Sequence, residues 1–187
     1  MKLLVATTNR GKFAEIKDIL KTSSFEIIGI QDLDQEIEEP EEPHDSLVFN
    51  AIEKAKYYAE KTGLMTIADD TGLFVDCLDG GPGVFPSRVA NTPEGRWSKL
   101  LEKMEGVEES NRGAEFRGAM VLYNPNGTTM YIAESSHRGR ILEKQVDQGG
   151  QELSYDCVFY VDEMKKTHAE MTKAEKASIS WRGKALQ

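Results

Sequence analysis

With 187 residues, 39% of them hydrophobic, the chain is long enough to bury a core and short for two independent domains, so one domain over residues 1–187 is expected. A formal net charge of -9 disfavours a broad nucleic-acid-binding surface, which needs a basic footprint, and any polyanionic ligand must find a local cluster of cations. No apolar run approaches the ~18 residues that span a bilayer, and the start from Met1 turns polar by Thr7 before a secretory core of roughly 7 residues is complete, so a cytoplasmic protein with no membrane partner is expected.

Lys2 to Thr8 packs Leu3, Leu4, Val5 and Ala6 into a short apolar run, the pattern of a buried strand, and Thr8-Asn9 can then cap a helix to about Leu20. Phe25 to Ile30 reads as a second strand, and the acidic, proline-interrupted stretch from Asp32 to Asp45 as a solvated loop. Ser46 can cap a helix to Thr62 whose apolar stripe is Leu47, Ala51, Ala55, Tyr58 and Ala59, with Gly63 ending it. Leu64 to Ala68 is strand-like, which puts Asp69-Asp70 at a strand end, and Gly80-Gly81-Pro82-Gly83 forms a tight loop.

Thr92-Pro93 opens a helix to Met104, and Ala114–Tyr123 and Thr128–Ser136 are predicted strands paired across the Asn124-Pro125-Asn126-Gly127 turn. Tyr155 to Val161 is the last expected strand, and Ala174 to Leu186 a final helix broken at Gly183. Cys77 and Cys157, each alone among apolar neighbours, are expected to be buried small hydrophobes rather than a disulfide or zinc site. His44, His137 and His168 have no metal-ligand spacing and are expected at the surface.

Three groups can carry chemistry. Thr7-Thr8-Asn9-Arg10-Gly11-Lys12 is a strand-to-helix turn whose free N–H groups, hydroxyls and lysine suit phosphate oxygens, although ordinary helix capping explains the same residues; it lacks the glycine spacing of a P-loop. Asp69 and Asp70 can hold a hard cation and orient a water, although adjacent acids are also common in turns. Lys173, Lys176, Arg182 and Lys184 cluster positive charge near the C-terminus, where Arg182 could make bidentate bonds or simply face solvent.

The order of Ala6-Thr7-Thr8-Asn9-Arg10-Gly11-Lys12, Asn50-Ala51 with Lys54-Ala55, Ile67-Ala68-Asp69-Asp70-Thr71-Gly72-Leu73, Gly81-Pro82-Gly83-Val84, Tyr155-Asp156 and Glu175-Lys176 through Arg182-Gly183 resembles the inosine triphosphate pyrophosphatase family over essentially the whole chain. That resemblance implies an α/β fold with a long curved mixed β-sheet flanked by helices, two lobes with a central cleft, and a homodimer. It implies cleavage of ITP, dITP and XTP to monophosphate and pyrophosphate, with Mg2+ as cofactor. Asp70 would be the general base, and Glu42, Asp69 and Asp70 the metal-associated acids, with Glu41 as a substitute for Glu42 because the Pro40–Ser46 loop lacks the family's usual glycine. Thr7, Thr8, Asn9 and Lys12 would hold the triphosphate, joined by Lys54. Arg10, Gly11, Asn50, Thr71, Arg88, Leu153, Ser154, Tyr155, Asp156, Lys176, Trp181 and Arg182 complete the expected substrate contacts.

The chain departs from the family where the base would be read. Leu153-Ser154-Tyr155-Asp156-Cys157 stands for the usual Phe-Gly-Tyr-Asp-Pro, Ser180-Trp181-Arg182 for Ser-His-Arg, and Phe85-Pro86-Ser87-Arg88 for Tyr-Ser-Ala-Arg. Trp181 is a candidate to replace the lost stacking ring, worth about 1 to 3 kcal/mol if it meets a base, or else packs against the protein. Two other readings follow: the same chemistry on a different modified or ordinary nucleotide, and a nucleotide-binding sensor without turnover.

Overall fold

The computed structural model describes residues 1–127, 130–146 and 154–186, and in it the chain forms two compact units that alternate along the sequence. The first comprises Met1–Thr71, Gly118–Ser135 and Ser180–Gln187, and the second Gly72–Arg117 and Ser136–Ile179. The strands β1 (Lys2–Val5), β2 (Glu26–Gly29), β3 (Met65–Val75), β4 (Pro82–Gly83), β5 (Gly113–Tyr123), β6 (Met130–Ile141), β7 (Phe159–Val161) and β8 (Lys166–Thr167) form one mixed sheet in the order β2-β1-β3-β5-β6-β7-β8, with β4 pairing to β3.

In the first unit β1 (Lys2–Val5) lies between β2 (Glu26–Gly29) and β3 (Met65–Val75), parallel to both, with Leu4 opposite Ile28 and Thr66. β1 buries Leu3, Leu4 and Val5, as expected of a parallel strand covered on its faces. Helix α1 (Arg10–Ile19) is capped by Asn9, whose Oδ1 accepts from Lys12 N at 3.0 Å. Helix α2 (Leu47–Thr62) starts at Ser46, whose Oγ accepts from Phe49 N, and stops at Gly63, which takes the left-handed φ of 69° that a side chain would resist. Its buried stripe Ala51, Ala55, Tyr58 and Ala59 is mostly alanine, which lets the helix approach the Leu4, Ala6, Ala68, Ala119 and Val121 side chains of the sheet closely.

The predicted strand ending at Ala68 is corrected here. β3 runs on to Val75, so Asp69 and Asp70 sit inside it rather than at its end. The reason is a change of partner. Pairing with β1 stops at Ile67, and further along β4 (Pro82–Gly83) returns against Leu73 and Phe74. The acids thus occupy the point where β3 has outrun β1, which preserves the open position that a strand end would have supplied.

The second unit contains α3 (Pro93–Lys103), capped by Thr92 Oγ1 accepting from Gly95 N at 3.0 Å. β5 (Gly113–Tyr123) and β6 (Met130–Ile141) each contribute to both units and flank the Asn124–Gly127 turn, where Asn126 N donates to Asn124 Oδ1 at 3.1 Å. β6 continues past the expected stop at Ser136 because Arg140 and Ile141 pair with β7 (Phe159–Val161), which in turn pairs with β8 (Lys166–Thr167). Tyr155 to Val158 is a turn, not the start of that strand. A core of Leu73, Val75, Met104, Ile141, Val158 and Phe159 fills this unit.

The C-terminal segment breaks at Ser180, not at Gly183. Helix α4 (Lys173–Ile179) ends there, and Ser180 Oγ accepts from Gly183 N at 3.0 Å to cap α5 (Trp181–Ala185), which contains a buried Gly183. Two further expectations fail on burial. Cys77 is exposed while Cys157 is buried. His137 and His168 are buried rather than superficial, stacked at a centroid distance of 5.3 Å. Among the described residues no helix is long and apolar enough to cross a membrane.

Candidate active site

The first unit gathers most of the expected residues around the outrun end of β1. Backbone pairing brings Ala6 N to Ile67 O at 2.8 Å, which sets the turn Thr7–Lys12 beside Asp69 and Asp70. Thr7 is buried and its Oγ1 accepts from Asn9 N at 3.2 Å, whereas Thr8, Asn9, Arg10 and Gly11 are exposed. The capping by Asn9 leaves the first-turn N–H groups of Arg10 and Gly11 without an intrahelical acceptor, at a helix end that favours anions.

Asp69 is 1% exposed and carries three bonds on one oxygen: Oδ2 meets Lys12 Nζ at 3.1 Å, Arg182 Nη2 at 2.9 Å and Thr71 Oγ1 at 3.3 Å. Its Oδ1 is buried with no hydrogen-bond partner among the described residues. Burial pushes the Asp69 carboxyl up, but the Lys12 and Arg182 charges, the Arg182 hydrogen bond and Lys54 hold it well below the usual carboxylate range.

Asp70, one residue on, faces the other side of the strand and behaves differently. Burial and the Glu42 charge raise its pKa, against the Asn50 hydrogen bond and the Lys54 and Lys12 charges. Its Oδ1 accepts from Thr71 N at 2.9 Å and its Oδ2 from Asn50 Nδ2 at 3.0 Å. Glu42 is ion-paired to Lys54, and burial of that ammonium is outweighed by Glu42, Asp69 and Asp70, which raise its pKa. The acidic loop therefore offers Glu42, half-buried on the lysine, while Glu41 is exposed. Its neighbour Glu39 accepts from Thr8 Oγ1 at 3.4 Å.

Arg182 and Trp181 lie inside the first unit. Arg182 pairs with Glu15 as well as Asp69, and Ser180 Oγ donates to Glu15 Oε1 at 2.9 Å. Trp181 is 4% exposed and its ring fills the space over Gly118, where an added Cβ would come within 2.3 Å of the indole. It packs against the protein, the second of the two possibilities read from the sequence. Glu15 was not singled out from sequence. Its position three residues after Lys12 on the same helix face was the available signal.

The remaining expected residues fall in the second unit. Arg88 is exposed, with its guanidinium 3.8 Å from the Phe85 ring centroid. Tyr155 is buried, its hydroxyl donates to Pro86 O at 2.7 Å, and burial, opposed by Arg96, pushes its pKa up to about 12. Asp156 pairs with Lys176 through Oδ2 and approaches His168 Nδ1 at 3.5 Å through Oδ1. Ser154 is partly buried, and Leu153 lies outside the described residues.

Chemically, the first unit offers a carboxylate with a raised pKa, two lysines, free helix-start amides and a second carboxylate close to the first, a set suited to phosphate hydrolysis. Comparison with known proteins agrees in kind. Residues 3–187 match the Ham1 family. The dITP/XTP pyrophosphatase of Desulforamulus reducens is 42% identical, covering 100% of this chain and 92% of that protein, and that of Haemophilus influenzae is 40% identical, covering 99% and 95%. Among solved structures, a HAM1 protein from Coxiella burnetii is 34% identical with a TM-score of 0.85, covering 100% of this chain and 94% of that one. The Staphylococcus aureus Ham1 protein is 30% identical with a TM-score of 0.78, with the same coverage.

Proposed function

We propose that this chain, which belongs to the Ham1 family, is a nucleoside triphosphate pyrophosphatase that converts dITP, XTP and the related ITP to the monophosphate and pyrophosphate. The observation that carries the reading is the meeting, within one unit, of Asp70 with a raised pKa, Glu42, Lys12, Lys54 and the free amides opening α1. In this reading the Asp70 carboxylate, held by Thr71 N and Asn50 Nδ2, takes a proton from a water whose oxygen bonds to the α-phosphorus. The bond from that phosphorus to the bridging oxygen breaks, and pyrophosphate leaves with its charge met by Lys12, Lys54 and the helix-start amides.

The donor set fits magnesium, which usually takes one or two carboxylates and completes its shell with phosphate oxygens and water. Glu42 and Asp70 are near enough for one to raise the pKa of the other, and Asp69 Oδ1 is a buried oxygen without a hydrogen-bond partner among the described residues. Among the described residues no group of three or more histidine, cysteine, aspartate and glutamate side chains is placed to hold a metal ion. When bound, the ion would offset phosphate charge and lower the pKa of a coordinated water.

One functional domain over residues 1–187 is part of this reading, as the family match spans residues 3–187. The family resemblance also implies a homodimer, which sedimentation would test. Activity is tested by pyrophosphate release with magnesium across dITP, XTP, ITP and the common triphosphates. Asp70→Asn should lower kcat/KM for the preferred substrate by about 100- to 10,000-fold. Equal turnover by that variant would refute Asp70 as base, and preference for another base would keep the chemistry and change the substrate.

A further inference from the structure

Asn50 is 1% exposed, so its amide must find every partner within the protein. Its Oδ1 accepts from His44 N at 3.0 Å, and its Nδ2 donates to His44 O at 3.0 Å and to Asp70 Oδ2 at 3.0 Å. The orientation of the amide follows from the backbone, since the His44 N–H needs an oxygen and the His44 carbonyl needs an N–H. A carboxamide has two N–H donors, and both are committed. None is left for a phosphate or a base.

We infer that Asn50 is a positioning residue, not a substrate contact: its paired bonds with His44 pin the acidic loop that carries Glu42, and its remaining N–H locks the Asp70 carboxylate. The inference rests on the reading of Asp70 as general base. The paired bonds imitate a strand bridge and fall two residues after Glu42. The other arm supplies the only side-chain bond to Asp70 Oδ2 among the described residues, while Oδ1 is fixed by Thr71 N at 2.9 Å. With Asn50 gone, Asp70 keeps one backbone anchor and can turn about its carboxylate bond.

The loop has other ties that would keep the variant folded. Tyr57 Oη donates to Glu38 O at 2.8 Å, His44 Nε2 lies 2.9 Å from Glu53, and Lys54 holds Glu42. One amide thus couples the two acids on either side of the proposed reaction, and its loss should cost turnover rather than affinity, because misplacement of the base acts in the transition state.

The test is a double-mutant cycle on the full chain, with Asn50→Ala and Asp70→Asn singly and together. Asn50→Ala should lower kcat by about 100-fold with KM within about threefold, and should lower it by less than about threefold when Asp70 is already Asn, since it acts through that carboxylate. A second readout needs neither metal nor substrate: cleavage of the loop by a glutamate-specific protease should quicken by about fivefold or more in Asn50→Ala and stay unchanged in Asp70→Asn. A raised KM with unchanged kcat, or additive effects in the cycle, would overturn the inference, as would unchanged cleavage. If the wild-type chain releases no pyrophosphate, the proposed function fails, and the protease result still decides whether Asn50 pins the loop.

Discussion

In the first unit Asp69 takes Lys12, Arg182 and Thr71 on a single oxygen, whereas in the second Asp156 divides its partners, Lys176 on Oδ2 and His168 on Oδ1. Both carboxyls are pushed up by burial and pulled further down by their partners. The difference lies in what remains. Asp156 has both oxygens met, and His168 is itself held in a stack with Phe116 and His137 at interplanar angles of 15° and 16°. Asp69 keeps a buried oxygen without a hydrogen-bond partner among the described residues, and next to it Asp70 shares its surroundings with Glu42. A carboxylate met on both oxygens ties its unit together, while Asp69 and Asp70 place a carboxyl with a lowered pKa directly beside one with a raised pKa.

That contrast is broken most severely at Arg182. Replacing it by methionine would leave the buried Asp69 and the partly buried Glu15 without their shared cation, and chemical denaturation should show a loss of about 3–5 kcal/mol. Gly118→Ala comes next. It drives a methyl into the Trp181 ring and should cost up to about 3 kcal/mol, relieved in part by Trp181→Phe if the indole is a packing element.

Asp156→Asn should cost about 2 kcal/mol at neutral pH, because it removes charged hydrogen bonds to Lys176 and His168. Its pH dependence sharpens the comparison. The folded-state pKa of Asp156 is lowered, so its contribution is fully present above the ordinary carboxylate value of about 3.9 and is lost as pH falls below it toward the folded pKa. The wild-type chain should therefore lose stability between pH 4 and pH 2 more steeply than Asp156→Asn, as read by urea midpoints at matched pH. The smallest effect belongs to His168→Phe, which keeps a ring in the stack and deletes one hydrogen bond, for about 1 kcal/mol in the same titration.

Elements were most legible where the signal is local. Asn9, Ser46 and Thr92 cap the helices expected of them, and Gly63 ends α2 in the left-handed conformation. The cluster of Lys12, Lys54, Asp69 and Asp70 was legible through the family resemblance, and the fold places those four side chains in one unit. Reading failed where burial depends on remote packing. His137 and His168 have polar neighbours in sequence, yet β6 and the segment after β8 bring them together under Phe116 and Phe159. For Trp181 the sequence left stacking and packing both open, because nothing nearby along the chain announces the bare backbone of Gly118 that receives it.

By itself, then, the sequence determined where α1, α2 and α3 begin and where α2 ends, which strands are apolar enough to be central, and which residue types could meet a phosphate. Each of those depends on groups within a few residues along the chain. Only the tertiary structure decided that Asp69 and Asp70 lie within a strand that outruns its neighbour, that Asn50 spends its amide on His44 and Asp70, and that Glu15 joins Arg182. The last pair is separated by 167 positions, and no local pattern records a bond whose two ends meet only after the sheet between them has formed.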